Sequence, residues 1–447
     1  MFLPPVGNRE SLCSMLSLRS AWPSVLTRTT FVLLIFIANS TLIASTRSGT
    51  IATGTEWETA YHVVDSGIEG PTVLLVGGIH GNEPAGYRAA EQIRHWPIVK
   101  GQLVVVPVAN VLGLAANTRA IPERSNDEGD LNRNFPTAER EPEGDSDMRS
   151  ARGELATALW EFATEVKPDW VIDLHEGFEF NLTHNPPDGE KKSVGSSVIY
   201  REGELDLVAE RIVNVANETV TDTNRRFSLL RRGPVDTSFA RACIHYLGAE
   251  AMILETTFKD QPLSLRTRQH RAMVSVLLQH ICIIDHDCRN IIAPAKSKDH
   301  LLVGCFDGPG TGLSRNNLWS IVDASADMTL HHLGSDDMRP EILTQLDVVV
   351  FPGGSGSKQA KAIGEDGRRT VSQFVNSGGG YIGVCAGAYL CSSHYGWSLN
   401  LIDSSVFTGT REIPGVGAKQ MWYRGGSADI DMEITDAGQA IFGDVNK

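Results

Sequence analysis

The sequence lacks an excess of positive charge, which excludes two classes of partner. Its 447 residues include 40 Lys and Arg against 54 Asp and Glu, giving a formal net charge of −14. Nucleic acids and anionic membrane surfaces both require a basic surface on the protein that binds them. We therefore expect no nucleic acid partner, and the composition indicates no particular protein partner.

Cysteine is also scarce, because seven cysteines in a chain of this length do not form a disulfide framework. Cys282 and Cys288, in the segment CIIDHDC, could form a disulfide in an oxidising compartment, but the sequence alone does not establish the bond. The same spacing with His286 fits no common zinc site.

No apolar run reaches the about 20 residues that a membrane-spanning helix needs. The strongest run, residues 31–43, has 13 residues, and it follows three arginines and precedes the small residues 44–46. This order is typical of a secretory signal, which we place at residues 1–45. The segment is either cleaved or retained as an N-terminal anchor, and a buried helix is the alternative. We expect an exported protein, periplasmic or extracellular, with no other membrane contact.

Apolar runs alternate with helical patterns along the rest of the chain. Several runs are apolar on successive residues, as in strands buried on both faces. Examples are TVLLVGG, QLVVVPVAN, DWVIDLHEG and AMILETTF. A polar linker at 293–300 separates two such α/β patterns. We expect a first domain at 46–292 and a second at 301–447.

The segment GGIHGNEPAG (77–86) directly follows a predicted strand and contains His80 and Glu83. An imidazole nitrogen and a carboxylate oxygen three residues apart can face one cation. His175, in DLHEG, lies at the end of another buried strand, where open α/β sheets place their sites. These three residues predict a metal site.

Polar residues elsewhere suit the binding and hydrolysis of an amide. Asn132 and Arg133, in DLNRNFP, offer an amide and a planar guanidinium for a carboxylate. Arg124 in the same loop could stabilise a developing oxyanion. Glu255, at the end of an apolar strand, is a candidate general base because burial raises a carboxyl pKa.

These motifs, in this order, resemble the zinc carboxypeptidase superfamily, and most closely its succinylglutamate desuccinylase/aspartoacylase branch, over roughly residues 60–285. The resemblance implies a mixed sheet flanked by helices. It also implies one Zn²⁺ held by His80, Glu83 and His175, with Glu255 activating water. By the same resemblance Asn132 and Arg133 bind the substrate carboxylate. Arg124 binds the scissile carbonyl, although Arg119 is available in the same loop.

The resemblance implies hydrolysis of an amide bond beside a free carboxylate. Either an N-acyl amino acid or the C-terminus of a peptide has this chemistry, so both stay open as substrates. Glu176 and Gly177 after His175 depart from the branch, and its small C-terminal β-domain is not apparent. A protein that binds a small molecule or peptide without turnover is the alternative.

The second domain contains Cys385 between a predicted strand and helix, in GYIGVCAGAYL. With the glycine turn FPGGSGS, this pattern is similar to the class I glutamine amidotransferase-like fold, in particular the N-terminal domain of biotin–protein ligases, over roughly 300–447. The resemblance implies a flavodoxin-like α/β domain with Cys385 at the nucleophile position. That fold also needs a late histidine, and His394 is the only histidine after Cys385. The domain is therefore either truncated or binds without catalysis, with thiol chemistry at Cys385 as the remaining alternative.

Overall fold

The computed structural model describes residues 44–124, 126–137, 150–313, 315–407 and 409–420. Nearly all of the predicted signal segment and the last part of the second domain lie outside the described residues. Across the described chain, no helix is both long and apolar enough to cross a membrane.

The first sheet is mixed, as expected. In the described part of the chain its strands are β1 (Ser45–Ile51), β2 (Thr59–Asp65), β3 (Thr72–Val76), β4 (Gln102–Val106), β5 (Trp170–Gly177), β6 (Ser197–Ile199), β7 (Ser228–Leu230) and β8 (Glu250–Thr257). Their order is β1-β2-β4-β3-β5-β8-β6-β7. Strands β4, β3, β5 and β8 are parallel. Strands β2 and β6 run antiparallel to their neighbours β4 and β8.

The four central strands are the apolar runs of the sequence, and they are buried on both faces. Leu74 of β3, Leu103 of β4, Val171 of β5 and Leu254 of β8 have no exposed side chain. Burial on both faces explains why these strands lack the alternating pattern of a half-exposed sheet. The carboxyl ends of the central strands consequently meet at one edge of the sheet.

Helices cover both faces of this sheet. They are α1 (Pro84–Ile93), α2 (Val111–Ala116), α3 (Asn126–Gly129), α4 (Glu154–Val166), α5 (Asp206–Ala216), α6 (Phe239–Ala242) and α7 (Leu263–His280). One apolar core contains Ile93 of α1, Ile212 of α5 and Met273 of α7. The core on the other face contains Leu159 of α4 and Phe239 of α6. The result is a three-layer α/β/α domain.

The second sheet is parallel, as the second α/β pattern predicted. Its strands are β9 (Leu301–Phe306), β10 (Met328–Leu333), β11 (Val348–Phe351) and β12 (Gly380–Gly383), in the order β10-β9-β11-β12. Its helices are α8 (Arg315–Asp323), α9 (Pro340–Leu343), α10 (Gly356–Asn376) and α11 (Ala386–Cys391), and a hairpin of β13 (Thr410–Ile413) and β14 (Gly417–Gln420) follows. The predicted domain limits, 46–292 and 301–447, stay a prediction.

Helix α7 is buried along most of its length because it contacts elements of both sheets. Ser264 Oγ donates to the carbonyl oxygen of Asp307, which follows β9, at 3.0 Å. Arg268 Nη1 and Arg271 Nη2 both contact Asp337 Oδ1, at 3.0 and 3.3 Å. Burial lowers the pKa of Arg271 to about 10 despite the Asp337 carboxylate. Two buried guanidinium groups therefore depend on one carboxylate of the second domain.

The structure also shows the state of the cysteine pair in CIIDHDC. Cys282 and Cys288 are both free thiols, Cys282 exposed and Cys288 buried. The structure thus shows no disulfide between them.

Replacing Asp337 is expected to destabilise the protein strongly. Asp337→Ala leaves Arg268 and Arg271 buried without their carboxylate, which costs about 3–5 kcal/mol of the free energy of unfolding. Urea denaturation followed by circular dichroism measures the change. The neighbouring Asp336 is exposed, so Asp336→Ala is the matched control and should change the free energy by no more than about 0.5 kcal/mol. Equal effects of the two substitutions would contradict the role of Asp337.

Candidate active site

Three central strands bring the predicted metal ligands and the predicted base to one edge of the first sheet. His80 follows β3 after a turn through Gly77 and Gly78. His175 and Glu255 lie near the carboxyl ends of β5 and β8, and they are paired in the register of these parallel strands. The pairing places both side chains on the same face of the sheet.

Glycine is required where the loop after β3 approaches its neighbour. Gly78 has a φ of +63°, a conformation that few side chains adopt. A Cβ atom at Gly81 would lie 1.9 Å from the backbone of Gly113 in α2. The Glu83 amide then donates to the His80 carbonyl at 3.2 Å, and Pro84 begins α1. This turn directs His80 and Glu83 to the same side.

His80, Glu83 and His175 present their donor atoms to one another. His80 Nδ1 lies 2.8 Å from Glu83 Oε1, and His175 Nδ1 lies 2.9 Å from Glu83 Oε2. The two Nδ1 atoms are 3.1 Å apart. All three residues are buried, and their donor atoms lie within 4.8 Å of one another. Two imidazole nitrogens and one carboxylate oxygen at this spacing form a donor set that fits a divalent cation.

The second nitrogen of each imidazole faces a carboxylate. His80 Nε2 lies 3.0 Å from Asp130 Oδ1, and His175 Nε2 lies 3.0 Å from Asp173 Oδ1. Carboxylates in this position orient the ring and leave its other nitrogen for a metal ion. The outer carboxylates therefore favour Nδ1 as the ligand atom of both histidines.

The neighbouring imidazoles keep the Glu83 carboxylate ionised. Burial alone would raise the pKa of this carboxyl, but the imidazoles of His80 and His175 lower the pKa well below its usual range. Asp130 behaves similarly, because His80 and Arg119 hold its pKa down against the effect of burial. Glu83 and Asp130 are thus carboxylates rather than carboxylic acids.

Glu176 has a role that the sequence did not reveal. Its backbone amide donates to Glu83 Oε2 at 3.0 Å, and its carboxylate accepts from the Ala85 amide at 2.7 Å. The same carboxylate pairs with Arg266 of α7. Glu176 therefore joins the ligand strand β5, the start of α1 and the buried helix α7. In the sequence, only the position of Glu176 directly after His175 on a buried strand indicated this role.

Arg119, and not Arg124, lies in the site. Arg119 Nη1 donates to Glu83 Oε1 and Arg119 Nη2 to Asp130 Oδ2, each at 3.1 Å. Arg124 lies beyond a turn in which its amide donates to Ile121, and its side chain is exposed. The resemblance implied that Arg124 binds the scissile carbonyl and left Arg119 available, and the fold of this loop places Arg119 beside Glu83 and Asp130.

Asn132 and Arg133 lie together beside His175. Asn132 Nδ2 is 3.3 Å from His175 Nε2, and Asn132 Oδ1 accepts from the Phe239 amide at 2.9 Å. Arg133 Nη1 donates to the carbonyl oxygen of Asn132 at 2.8 Å. Asn132 therefore fixes this segment, and Arg133 lines a cavity that also contains His80, Glu83 and His175.

The site lies in a cavity of about 940 Å³. Basic side chains from segments outside the strands line it among the described residues: Arg119, Arg133, Lys191, Lys192 and Arg232. Glu255 also lines the cavity, and burial raises the pKa of its carboxyl to about 8, with the nearby Glu83 carboxylate adding to the increase. A carboxyl of this kind can exchange protons near neutral pH.

The Cys385 turn between β12 and α11 has a strained backbone. Cys385 has φ +52° and ψ −100°, and it is exposed between β12 and α11. Within the described residues its thiol forms no hydrogen bond with an imidazole. The ring of His394 contacts Tyr395 instead. The interpretation that this domain is truncated or binds without catalysis stays a prediction.

The chain matches two families in part. Residues 69–184 match the family described as Succinylglutamate desuccinylase/Aspartoacylase catalytic domain. This match confirms the resemblance for the segment that contains His80, Glu83, Asn132, Arg133 and His175. Residues 342–423 match the family described as Biotin-protein ligase, N terminal. That match supports an amidotransferase-like second domain only loosely.

A curated relative matches a short segment. The N-alpha-acetyl-L-2,4-diaminobutyric acid deacetylase of Halomonas elongata is 35% identical over 115 residues, which are 24% of this chain and 29% of the deacetylase. The chain thus spans less than a third of that relative's length.

Two known structures are similar to part of the chain. Apo Cell Shape Determinant protein Csd4 from Helicobacter pylori is 20% identical, with a TM-score of 0.40 over 54% of this chain and 55% of Csd4. A succinylglutamate desuccinylase/aspartoacylase from Rhodobacter sphaeroides is 18% identical, with a TM-score of 0.36 over 56% of this chain and 69% of that protein. Each likeness covers little more than half of this chain.

The donor set predicts which substitutions remove metal binding. His175→Ala deletes one of three donors, so metal-stripped protein should no longer bind Zn²⁺ in a calorimetric titration. Asp173→Asn keeps the shape of the side chain but removes the charge behind His175, and we expect affinity to fall about 10–100-fold. His245 is exposed and lies far in sequence from the three donor residues, so His245→Ala is the control. Unchanged affinity in His175→Ala would exclude this site.

Proposed function

We propose that this protein is a zinc-dependent hydrolase that cleaves an amide bond next to a free carboxylate. The observation that carries the proposal is the pairing of Glu255 with His175 across β5 and β8. It places a buried carboxyl beside the His80–Glu83–His175 donor set. The cavity that contains this group is also lined by Arg133, which suits a carboxylate.

The chain's own residues would bind and orient the substrate. Arg133, fixed by Asn132, binds the carboxylate and so sets the position of the neighbouring amide. Arg119 presents its guanidinium to the amide oxygen, where negative charge develops. Arg133 thus acts on the fixed charge of the substrate carboxylate, and Arg119 acts on the charge that develops on the amide oxygen.

Glu255 would move the proton. A Zn²⁺ ion on His80, Glu83 and His175 would supply Lewis-acid polarisation and lower the pKa of water. Glu255 takes a proton from the attacking water at a carboxylate oxygen and returns it to the leaving amine. Its raised pKa suits both transfers, because the protonated and ionised forms are then similar in free energy near neutral pH.

Two substrate types satisfy this chemistry. An N-acyl amino acid has its carboxylate one carbon from the amide nitrogen, and so does the C-terminal residue of a peptide. The name of the Halomonas relative, a deacetylase of an acetylated amino acid, supports the first type. We further propose, from the order of residues at the N-terminus, that the protein is exported.

Substituting Glu255 tests the proposed base. Glu255→Gln retains the size of the side chain but cannot accept a proton, so kcat should fall at least about 10²-fold while Zn²⁺ stays bound. Hydrolysis of N-acyl amino acids and short peptides, with zinc content measured on the same samples, checks this. Glu250→Gln, at the opposite end of β8, is the control. Full activity in Glu255→Gln would rule out this mechanism.

Arg119 and Arg124 give a second test. Arg119→Ala removes the donor beside the metal ligands, so we expect kcat to fall about 10²–10³-fold. Arg124→Ala removes an exposed side chain outside the cavity and should leave kcat within a factor of about two. Steady-state kinetics on one substrate measure both variants. The reverse order of effects would restore the role that the resemblance gave to Arg124.

A further inference from the structure

We infer that the cavity has an apolar subsite formed by Ile253, Ile199 and Leu230, which takes an apolar side chain of the carboxylate-bearing amino acid. The inference rests on the proposed function and specifies its substrate class. The preferred substrates would then be amides of leucine-like or phenylalanine-like amino acids, rather than of acidic ones.

The three residues form one row across three strands. Ile253 of β8 is paired with Ile199 of β6, and Ile199 is paired with Leu230 of β7. Paired residues of adjacent strands lie on the same face of a sheet. All three side chains line the cavity that contains the metal ligands. The row is therefore a continuous apolar strip of the cavity wall.

The row lies close to the reacting groups. Ile253 is two residues before Glu255 on β8, so both point to the same face, about 7 Å apart along the strand. That distance is about the reach of one amino-acid side chain from the amide bond. A substituent of the substrate can thus reach the row while its amide is beside Glu255.

The carboxylate anchor and the row lie on the same face of the sheet. Leu131 and Phe135, which flank Arg133, belong to the apolar core that also contains Ile199 and Ile253. A carboxylate bound by Arg133 therefore lies on the same side as the row. The side chain on the carbon that bears this carboxylate is the substituent best placed to enter the strip.

The row contains no partner for a charged side chain. Ile199 and Ile253 are only 4% and 5% exposed. A carboxylate placed against them would lose water without gaining a hydrogen bond, which is unfavourable. The basic residues Lys191, Lys192 and Arg232 lie on loops or beyond the end of β7, outside the row itself.

A substrate panel tests the subsite. Leucine, phenylalanine, alanine, aspartate and glutamate are each presented as the N-acetyl amino acid and as the last residue of an Ala-Ala-X peptide. We expect kcat/KM for leucine and phenylalanine to exceed that for aspartate and glutamate by at least about tenfold. Acidic residues ranking first would overturn the inference while leaving the amide hydrolase intact. No turnover of any member would overturn the proposed function, and the inference with it.

Two adjacent leucines provide matched variants. Leu230 faces the cavity, whereas Leu229 packs against the core on the opposite face, and both are half-buried on β7. Leu230→Ala should reduce the preference for leucine over alanine about tenfold, and Leu229→Ala should retain it. Thermal unfolding of both variants separates specificity from stability. Equal loss of stability with an unchanged preference in both would overturn the inference.

Discussion

The buried carboxylate of Glu83 is the group on which the site depends. A carboxylate with almost no exposed surface is stable only if its neighbours replace the water that it loses. His80 and His175 contact its two oxygens, and the Glu176 amide and Arg119 donate to the same oxygens. Satisfying this one group thus fixes the loop after β3, the end of β5 and the position of Arg119.

Helix α7 extends this constraint to the second domain. Arg266 pairs with Glu176 beside His175, and Ser264, two residues earlier, donates to Asp307 after β9. One helix thus contacts the site and the second sheet within a single turn. The second domain, whose Cys385 lacks a histidine partner among the described residues, is therefore at least a structural support for α7.

The sequence indicated which residues meet at this edge of the sheet, because these residues follow buried strands. Apolar runs identify β3, β5 and β8, and parallel strands present their carboxyl ends at one edge, so His80, His175 and Glu255 had to meet. The short strands β6 and β7 were not predicted, since three residues give no period to recognise. The path of the loop brings Arg119, and not Arg124, to Glu83. No local sequence pattern encodes that path. The partners of Glu176 come from α1 and α7, far apart in sequence.

The two-residue period of a strand explains why chemistry and specificity could be combined on β8. Glu255 and Ile253 face the cavity, whereas Leu254 between them packs in the core of the opposite face. We therefore expect a substitution at Ile253 to alter what the cavity accepts while the Leu254 side chain still holds this strand in the opposite core. The partners of Ile253 in the row lie on β6 and β7, so the proposed subsite and the proposed base share β8 but draw on different neighbouring strands.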